Sequence, residues 1–525
     1  MPLSDSWYAD NTVRRGILVK VGVYSTGVAE TIGETFKYIS NVGYTTANSV
    51  ISFLPAISGS MRFSESLSQD GGISISYGDI ELLNIDGSLD DWIDPSKYVW
   101  VNRSVDIYYC DPNIVVDTEA DIYTTFDLIF SGVIADIGSR SRNTLNIKVR
   151  DKMERLNAPI TEVTLGTYGT WGTGSGQTNQ DAVVPLVFGE PHNFQPLLID
   201  PSQLEYQVSQ GPIEQITEIR DNGVPIYTVS TLTGSATINL TTGKFKLTNP
   251  IVGECTISAQ GVAKSIDLSN GTLLSTYNNN IANLIALLVT QYGNSVSKLT
   301  ASELDLTNLS TFATANTQYV GLVLNSRENL LSICQALASS IGAQIYFTRQ
   351  GKLQLLRYGV PTTDTSVSIG PEDMVLNSMA ISDRSTIVAA KKLGYCKNWY
   401  MQDNLVTAIP VEHKYMFNTE YWLKTSDDTT GTKTLYRLNA EPVQKDTLLV
   451  DGSQAQAEAI RLNNYFGAIR TTYKFTGYSK LLTLKLGQPV SITHPRFGLS
   501  SGKSGQVVSL SPDWSGGKID IEVVV

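Results

Sequence analysis

Histidine is nearly absent, with 3 residues in 525, which leaves little material for imidazole catalysis or metal ligation. Cysteine is almost as scarce. Cys110, Cys255, Cys334 and Cys396 are scattered, no two forming a Cys-x-x-Cys pair, so no zinc or iron–sulfur signature exists. Cys334 falls on the apolar side of a helical pattern, where a buried reduced thiol is expected. Reduced cysteines fit assembly in a cytoplasm that forms no disulfides. Charged residues make up only 17%, below the usual ~25%, and no basic run is present to grip phosphates. No apolar run nears the ~18 residues of a membrane span. One of the longest, 183–188, is interrupted by Pro185. The first ten residues lack a basic and an apolar signal region, so no secretory leader is expected.

What fills the gap is Thr, Ser, Asn, Gly and Tyr, with 25 Tyr against 14 Phe and 7 Trp. β-branched and aromatic residues suit a half-buried pleated surface, so strand residues should outnumber helical ones about twofold. The length implies three or four domains. Net charge is −11 but uneven. Residues 1–160 carry 13 Lys and Arg against 21 Asp and Glu, residues 161–369 carry 9 against 14, and residues 370–525 carry 17 against 15. An acidic wall would repel DNA, although solubility alone accounts for such a balance.

The expected fold is mainly β with some α, in several domains. Residues 1–160 read as a β-barrel-like domain, with strands at 15–24, 73–77, 99–109, 126–137 and 145–149 and turns at Asp70-Gly71-Gly72 and Asp86-Gly87-Ser88. Residues 161–182 form a Gly/Thr-rich linker or loop. Residues 183–265 form a small β domain with strands at 204–208, 216–221, 237–240 and 244–247, turning at Asp221-Asn222-Gly223 and Thr242-Gly243. Residues 266–369 form an α+β domain. Its helices fall at 280–292, stopped by Gly293, and 326–341, with an Asn325/Glu328 capping box and Gly342 at the end. A hairpin follows, 343–348 with 353–357, turning at Gln350-Gly351. Residues 370–525 form a second barrel-like domain. It has one helix at 453–466, capped by Ser453 with Gln456, and strands at 471–476, 481–486, 489–493, 505–511 and 518–525.

Motifs that could carry chemistry lack their context. Gly498-Leu499-Ser500-Ser501-Gly502 fits the nucleophile-elbow pattern, but it lies between strands and His494 precedes the serine, so a hairpin loop is expected. His192 and His413 have no metalloprotease spacing. Asp90-Asp91 and Asp427-Asp428 are solvated turn acids rather than an opposed catalytic pair. The stretch 84–91 departs from an EF-hand in spacing and lacks its terminal Glu. No catalytic, cofactor-binding or metal-ligating residue and no cofactor is expected.

Four stretches, in order, resemble phage tail proteins. Residues 78–92, Gly-Asp-Ile-Glu-Leu-Leu-Asn-Ile-Asp-Gly-Ser-Leu-Asp-Asp-Trp, resemble a strand ending in an Asn-x-Asp-Gly turn. Phe130-Ser131-Gly132-Val133-Ile134-Ala135-Asp136-Ile137 resembles the Phe-x-Gly-x-Ile strand that follows it. Val184-Pro185-Leu186-Val187-Phe188-Gly189 is similar to the opening of the next region. Residues 486–493 with 505–512 are similar to the closing barrel of baseplate hubs. The family suggested is the central tail hub of siphophages, related in fold to the hub of contractile tails. That resemblance implies a homotrimer whose paired barrels form a pseudo-hexameric ring at the virion tail tip. It implies a distal tail or tube protein, the tape-measure protein, and a central fibre or receptor-binding protein as partners. DNA would pass without specific binding, and the role would be structural, not enzymatic. Two other classes remain open at this point: a glycan-binding adhesin presenting Tyr168 and Trp171 for stacking, and a cell-wall hydrolase.

Overall fold

Strand residues make up 39% and helical residues 19%, the twofold excess anticipated from composition. The computed structural model describes residues 3–10, 12–48, 50–67, 73–76, 78–168, 180–359, 367–407, 409–426, 431–438 and 441–525. The turn Asp70-Gly71-Gly72, Trp171 with most of the Gly/Thr-rich loop, Asp427-Asp428 and the side chain of Tyr168 lie outside the described residues.

The first sheet is built on Gly16–Ser25, whose apolar alternation leaves Ile17, Val19, Val21 and Val23 in the core. It pairs antiparallel with Gly33–Ser40 on one side and Ser104–Cys110 on the other. The order continues through Asp127–Ser141, Thr144–Arg150 and Asp79–Leu83. Closure comes from one short segment. Ser52–Pro55 pairs with Gly33–Ser40, and Ile57–Ser58 pairs with Asp79–Leu83 at the far edge. Only buried Ala56 separates the two, so the sheet has been rolled into a barrel, which protects its edges.

The C-terminal sheet closes in the same way. Its strands run Val367–Ile369, Pro489–Ile492, Lys503–Asp513, Lys518–Val524, Thr471–Tyr478 and Ala380–Arg384. Val367–Ile369 lies parallel to Pro489–Ile492, and a few residues later Met374 bridges Gly477 of Thr471–Tyr478, next to the opposite edge strand Ala380–Arg384. The long strand Lys503–Asp513 also takes up Ser64–Leu67, half of a hairpin with Ile73–Ser76. A piece of the N-terminal region thus completes the C-terminal sheet. One apolar cluster runs through both barrels, from Leu3 to Val149 and from Ile369 to Val523.

Between the barrels in sequence lie the small β sheets of residues 186–262 and an α+β layer. The helix Ile281–Gln291 is buried on nearly every side, packed against Leu306–Ala315 and Leu330–Ser339. Segment 392–459 also leans on this layer, contributing Tyr395, Cys396, Leu449 and Ala455 to its core. Among the described residues of 1–160 and 470–525, the longest helix is the seven-residue Glu119–Thr125.

Several local expectations are corrected. Stretch 481–486 is no strand: Ser479–Thr483 forms a 3-10 turn that buries Leu481 and Leu482 in the shared core. Apolar residues in a short run satisfy either geometry, so periodicity could not choose. Stretch 99–109 is broken after Val99 and resumes at Ser104, with Asn102 at φ 64 turning the chain. The helix expected over 326–341 is Leu330–Ser339, capped by Asn329, whose side chain accepts from the Ser332 N–H. The Asn325/Glu328 box is not formed. The helix Gly452–Phe466 is capped by Asp451, which accepts from the N–H groups of Ser453 and Gln454. Ser453 lies inside the helix, and the carboxylate of Asp451, two positions earlier, does its work. Helices Leu306–Ala315 and Val411–Asn418 were not foreseen.

Candidate functional site

The junction of the two barrels brings distant parts of the chain together. The short helix Asp5–Ala9 packs on the Ser479–Thr483 turn. Ser479 Oγ donates to the Tyr8 carbonyl at 2.7 Å, and Arg15 Nη2 donates to Ser479 Oγ at 3.2 Å. Trp7 meets Tyr109 edge-on at 5.4 Å, and Tyr109 meets Trp514 at 5.1 Å. Phe63 stacks on Phe130 at 4.5 Å. Aromatic contacts of this kind add to the area they bury, and each pair here spans two parts of the chain.

A third part reaches the same junction. In the hairpin Ala343–Phe347 with Leu353–Arg357, Gly351 at φ +70 makes the turn and aims Arg349 inward. Arg349 Nη2 donates to the Leu484 carbonyl at 2.7 Å, and its own carbonyl accepts from the Ser131 N–H at 2.7 Å. Its guanidinium lies 5.5 Å over Trp514. Its Nε stands 3.6 Å from Glu65, which is 4% exposed. Arg349 therefore touches the first barrel, the second barrel and the hairpin they share. Burial pushes the Glu65 carboxyl above its ordinary range, and the Arg349 charge opposes that only in part. Sequence reading passed over Arg349; the one available cue was a cation beside the Gln-Gly turn of an otherwise apolar hairpin.

The motifs weighed for chemistry are placed as follows. Gly498 to Gly502 form the loop between Pro489–Ile492 and Lys503–Asp513, with Leu499 buried and Ser500 exposed. His494 accepts from the Arg496 N–H at its Nδ1 and stacks on Phe497. Asp90 and Asp91 open the short helix Asp90–Ile93, where Asn84 Nδ2 donates to Asp90 and Lys97 pairs with Asp91. All four cysteines are free and buried, and burial pushes the Cys334 thiol up to about 12. Among the described residues no cluster of three or more His, Cys, Asp or Glu could hold a metal ion.

His192 and His413, 221 positions apart, line one cavity of about 680 Å³ with Arg220, Glu218 and Phe417. Arg220 pairs with Glu218, donates to Ser258 Oγ at 3.0 Å and lies 5.3 Å over Phe417. Burial, with Arg220 nearby, lowers His192 to a pKa of about 4, so it is neutral at pH 7. A neutral imidazole can accept and donate a hydrogen bond, and the acid among the cavity's lining residues, Glu218, is held in its pair with Arg220.

No family model matches the chain, and no curated protein matches it. Solved structures do. The chain is similar to a protein of the virion of a native gene transfer agent particle, at 11% identity and TM-score 0.41 over 71% of this chain and 91% of that one. It is similar to the 43 kDa tail protein of prophage MuSo2 from Shewanella oneidensis, at 11% identity and TM-score 0.36 over 97% and 98%. It is similar to a tail protein of Neisseria meningitidis MC58, at 9% identity and TM-score 0.36 over 97% of each chain. The first of these three comes from a virion, and the other two are tail proteins.

Proposed function

We propose that this chain is a structural hub of a long-tailed phage, sited at the tail tip of the virion. In this reading three copies connect the tail tube to a central fibre and close the lumen until DNA is ejected. The observation that carries it is the pair of barrels, each closed by a single bridging segment and both built on one core. Two like barrels in each of three copies offer six comparable surfaces to a six-fold tube, and closed rings are the usual way homo-oligomers are completed. Of the sequence stretches similar to tail proteins, 78–92, 130–137, 486–493 and 505–512 fall on these barrels, and 184–189 falls on the small sheet that Leu186–Gly189 forms with Gly321–Leu324. Regions 1–160 and 370–525 are read as the two hub domains, with 183–265 and 266–369 as insertions between them. Tube, tape-measure and fibre proteins are the partners this role requires. The excess of carboxylates in 1–160 suits a lumen past which DNA phosphates must slide. A reconstruction of the tail tip tests the proposal: three copies of this chain around the axis are expected. Six copies, one copy, or a lumen lined by Lys and Arg would overturn it.

A further inference from the structure

The end of the first barrel farthest from the junction is apolar and acidic. Gly16–Ser25 begins beside Arg15, which reaches the second barrel through Ser479, and ten residues of strand carry the chain about 30 Å away. There loop 26–33 and segment 84–103 form one rim: Thr26 bonds to the Ser96 and Lys97 carbonyls, and Tyr98 pairs with Ser25. Val28 and Ile32 are each 66% exposed at the loop's tip, and Val99 and Val101 are exposed beneath it. The loop with its flanking strand and segment 84–103 carry six carboxylates, Glu30, Glu34, Asp86, Asp90, Asp91 and Asp94, against three cations, Lys37, Lys97 and Arg103; the cations pair with Glu30, Asp91 and Glu34, so three carboxylates remain in excess. Single exposed apolar residues are ordinary; a contiguous patch with a charged border marks an interaction surface.

The second half of the chain carries a complementary feature. A cleft of about 950 Å³ opens between the C-terminal sheet and the helix Gly452–Phe466. Val388, Val443 and Phe466 form apolar wall, and Arg384, Lys391 and Lys445 supply three cations against Asp383 and Glu522. At its mouth lie Leu435 and Ile469, both exposed, with Lys433, Arg437 and Arg470. Thr432 bonds to the Gly467 carbonyl and Ser385 to the Arg470 carbonyl, so mouth and cleft are one continuous surface.

We propose that loop 26–33 of one copy inserts into the cleft beside Phe466 of a second copy, Val28 and Ile32 meeting the apolar wall and the acidic rim meeting the cations. The two surfaces differ, so the contact is head-to-tail, and a head-to-tail contact that closes makes a ring. Opposite charge fixes the register and disfavours rim-on-rim pairing. This inference rests on the hub reading, to which it adds the surfaces that join the copies.

Disulfide trapping tests it, because the four native cysteines are buried and do not compete. A chain carrying both Val28→Cys and Val443→Cys should give, on mild oxidation, covalent dimers and trimers. Val28→Cys alone, Val443→Cys alone, and Val28→Cys paired with the fully exposed Val252→Cys should give none. Linking by Val28→Cys alone, or equal linking through Val252→Cys, overturns the head-to-tail contact. No linking in a chain whose wild type sediments as a trimer overturns this surface and leaves the hub reading intact. A wild type that is monomeric at every concentration, and in isolated tails, defeats both.

Discussion

Arg349 shows how much can hang on one side chain. Its carboxylate partner Glu65 is buried, its backbone carbonyl meets Ser131 of the first barrel, and its guanidinium meets Leu484 and Trp514 of the second. Removing one member of a buried pair strands the other, at a cost of roughly 3–5 kcal/mol. Arg349→Met should lose about that much in urea unfolding, and should lose less in a Glu65→Gln background, where no charge is stranded. Equal losses in the two backgrounds would show that the pair is uncoupled. Glu458 is similar: it is wholly buried between Arg357 and Arg461. His192 gives a pH prediction. Its pKa is about 4 in the folded chain against about 6.5 unfolded. Between those values the unfolded chain binds the proton and the folded chain does not, so stability is full above pH 6.5 and falls as pH drops toward 4. The loss is on the order of 3 kcal/mol, and His192→Phe should remove that component from a melting-temperature profile against pH. None of these three roles was legible beforehand, because each depends on a partner well beyond local spacing, Glu65 for Arg349, Arg357 for Glu458 and Arg220 for His192.

At the scale of elements, the sequence was most legible where a local physical rule is strict. Asn222 and Gly223 both take positive φ, as a two-residue hairpin turn demands, between Ile213–Asp221 and Val224–Thr228. Lys244–Leu247 and Leu353–Arg357 fall where their alternation put them. Legibility failed where several residues could do the same job. Asn325 and Asn329 are both good caps by type, and only packing against 158–160 selects Asn329: the Leu330 N–H bonds to the Ala158 carbonyl, and the Ile160 N–H to the Glu328 carbonyl. Asn329→Ala should therefore cost about 1 kcal/mol in thermal or urea unfolding, while Asn325→Ala should be near neutral. The reverse ranking would restore the cap read from sequence. Leu481 and Leu482 failed for another reason: a short apolar run states that it is buried without stating its backbone.

At the scale of the molecule, the two barrels do not have separate interiors. Met61 and Phe63 sit in the same cluster as Phe475 and Ile521, and Ser66 pairs across to Ser509. A fragment spanning residues 1–160 would expose the face that Trp514 and Leu481 now cover, so it should fail to give a dispersed amide spectrum on its own. A well-folded fragment would show that the shared core is a contact between finished domains. The full chain should unfold its barrels in a single urea transition, observed through Trp7, Trp100 and Trp514. Composition announced barrels, but nothing in it said that residues 64–76 would be lent to the other one.

That loan sets an order of events on the ribosome. Ser66 leaves the exit tunnel more than 400 residues before Ser509 is made, and at 5–20 residues per second the hairpin waits roughly 20 to 90 s for its strand. During that interval its edge is open to any nascent neighbour on the same message, or to a chaperone that shields it. A chain interrupted before Lys503–Asp513 never covers the hairpin, so a broken message would yield a product with an exposed strand edge, conspicuous to proteases.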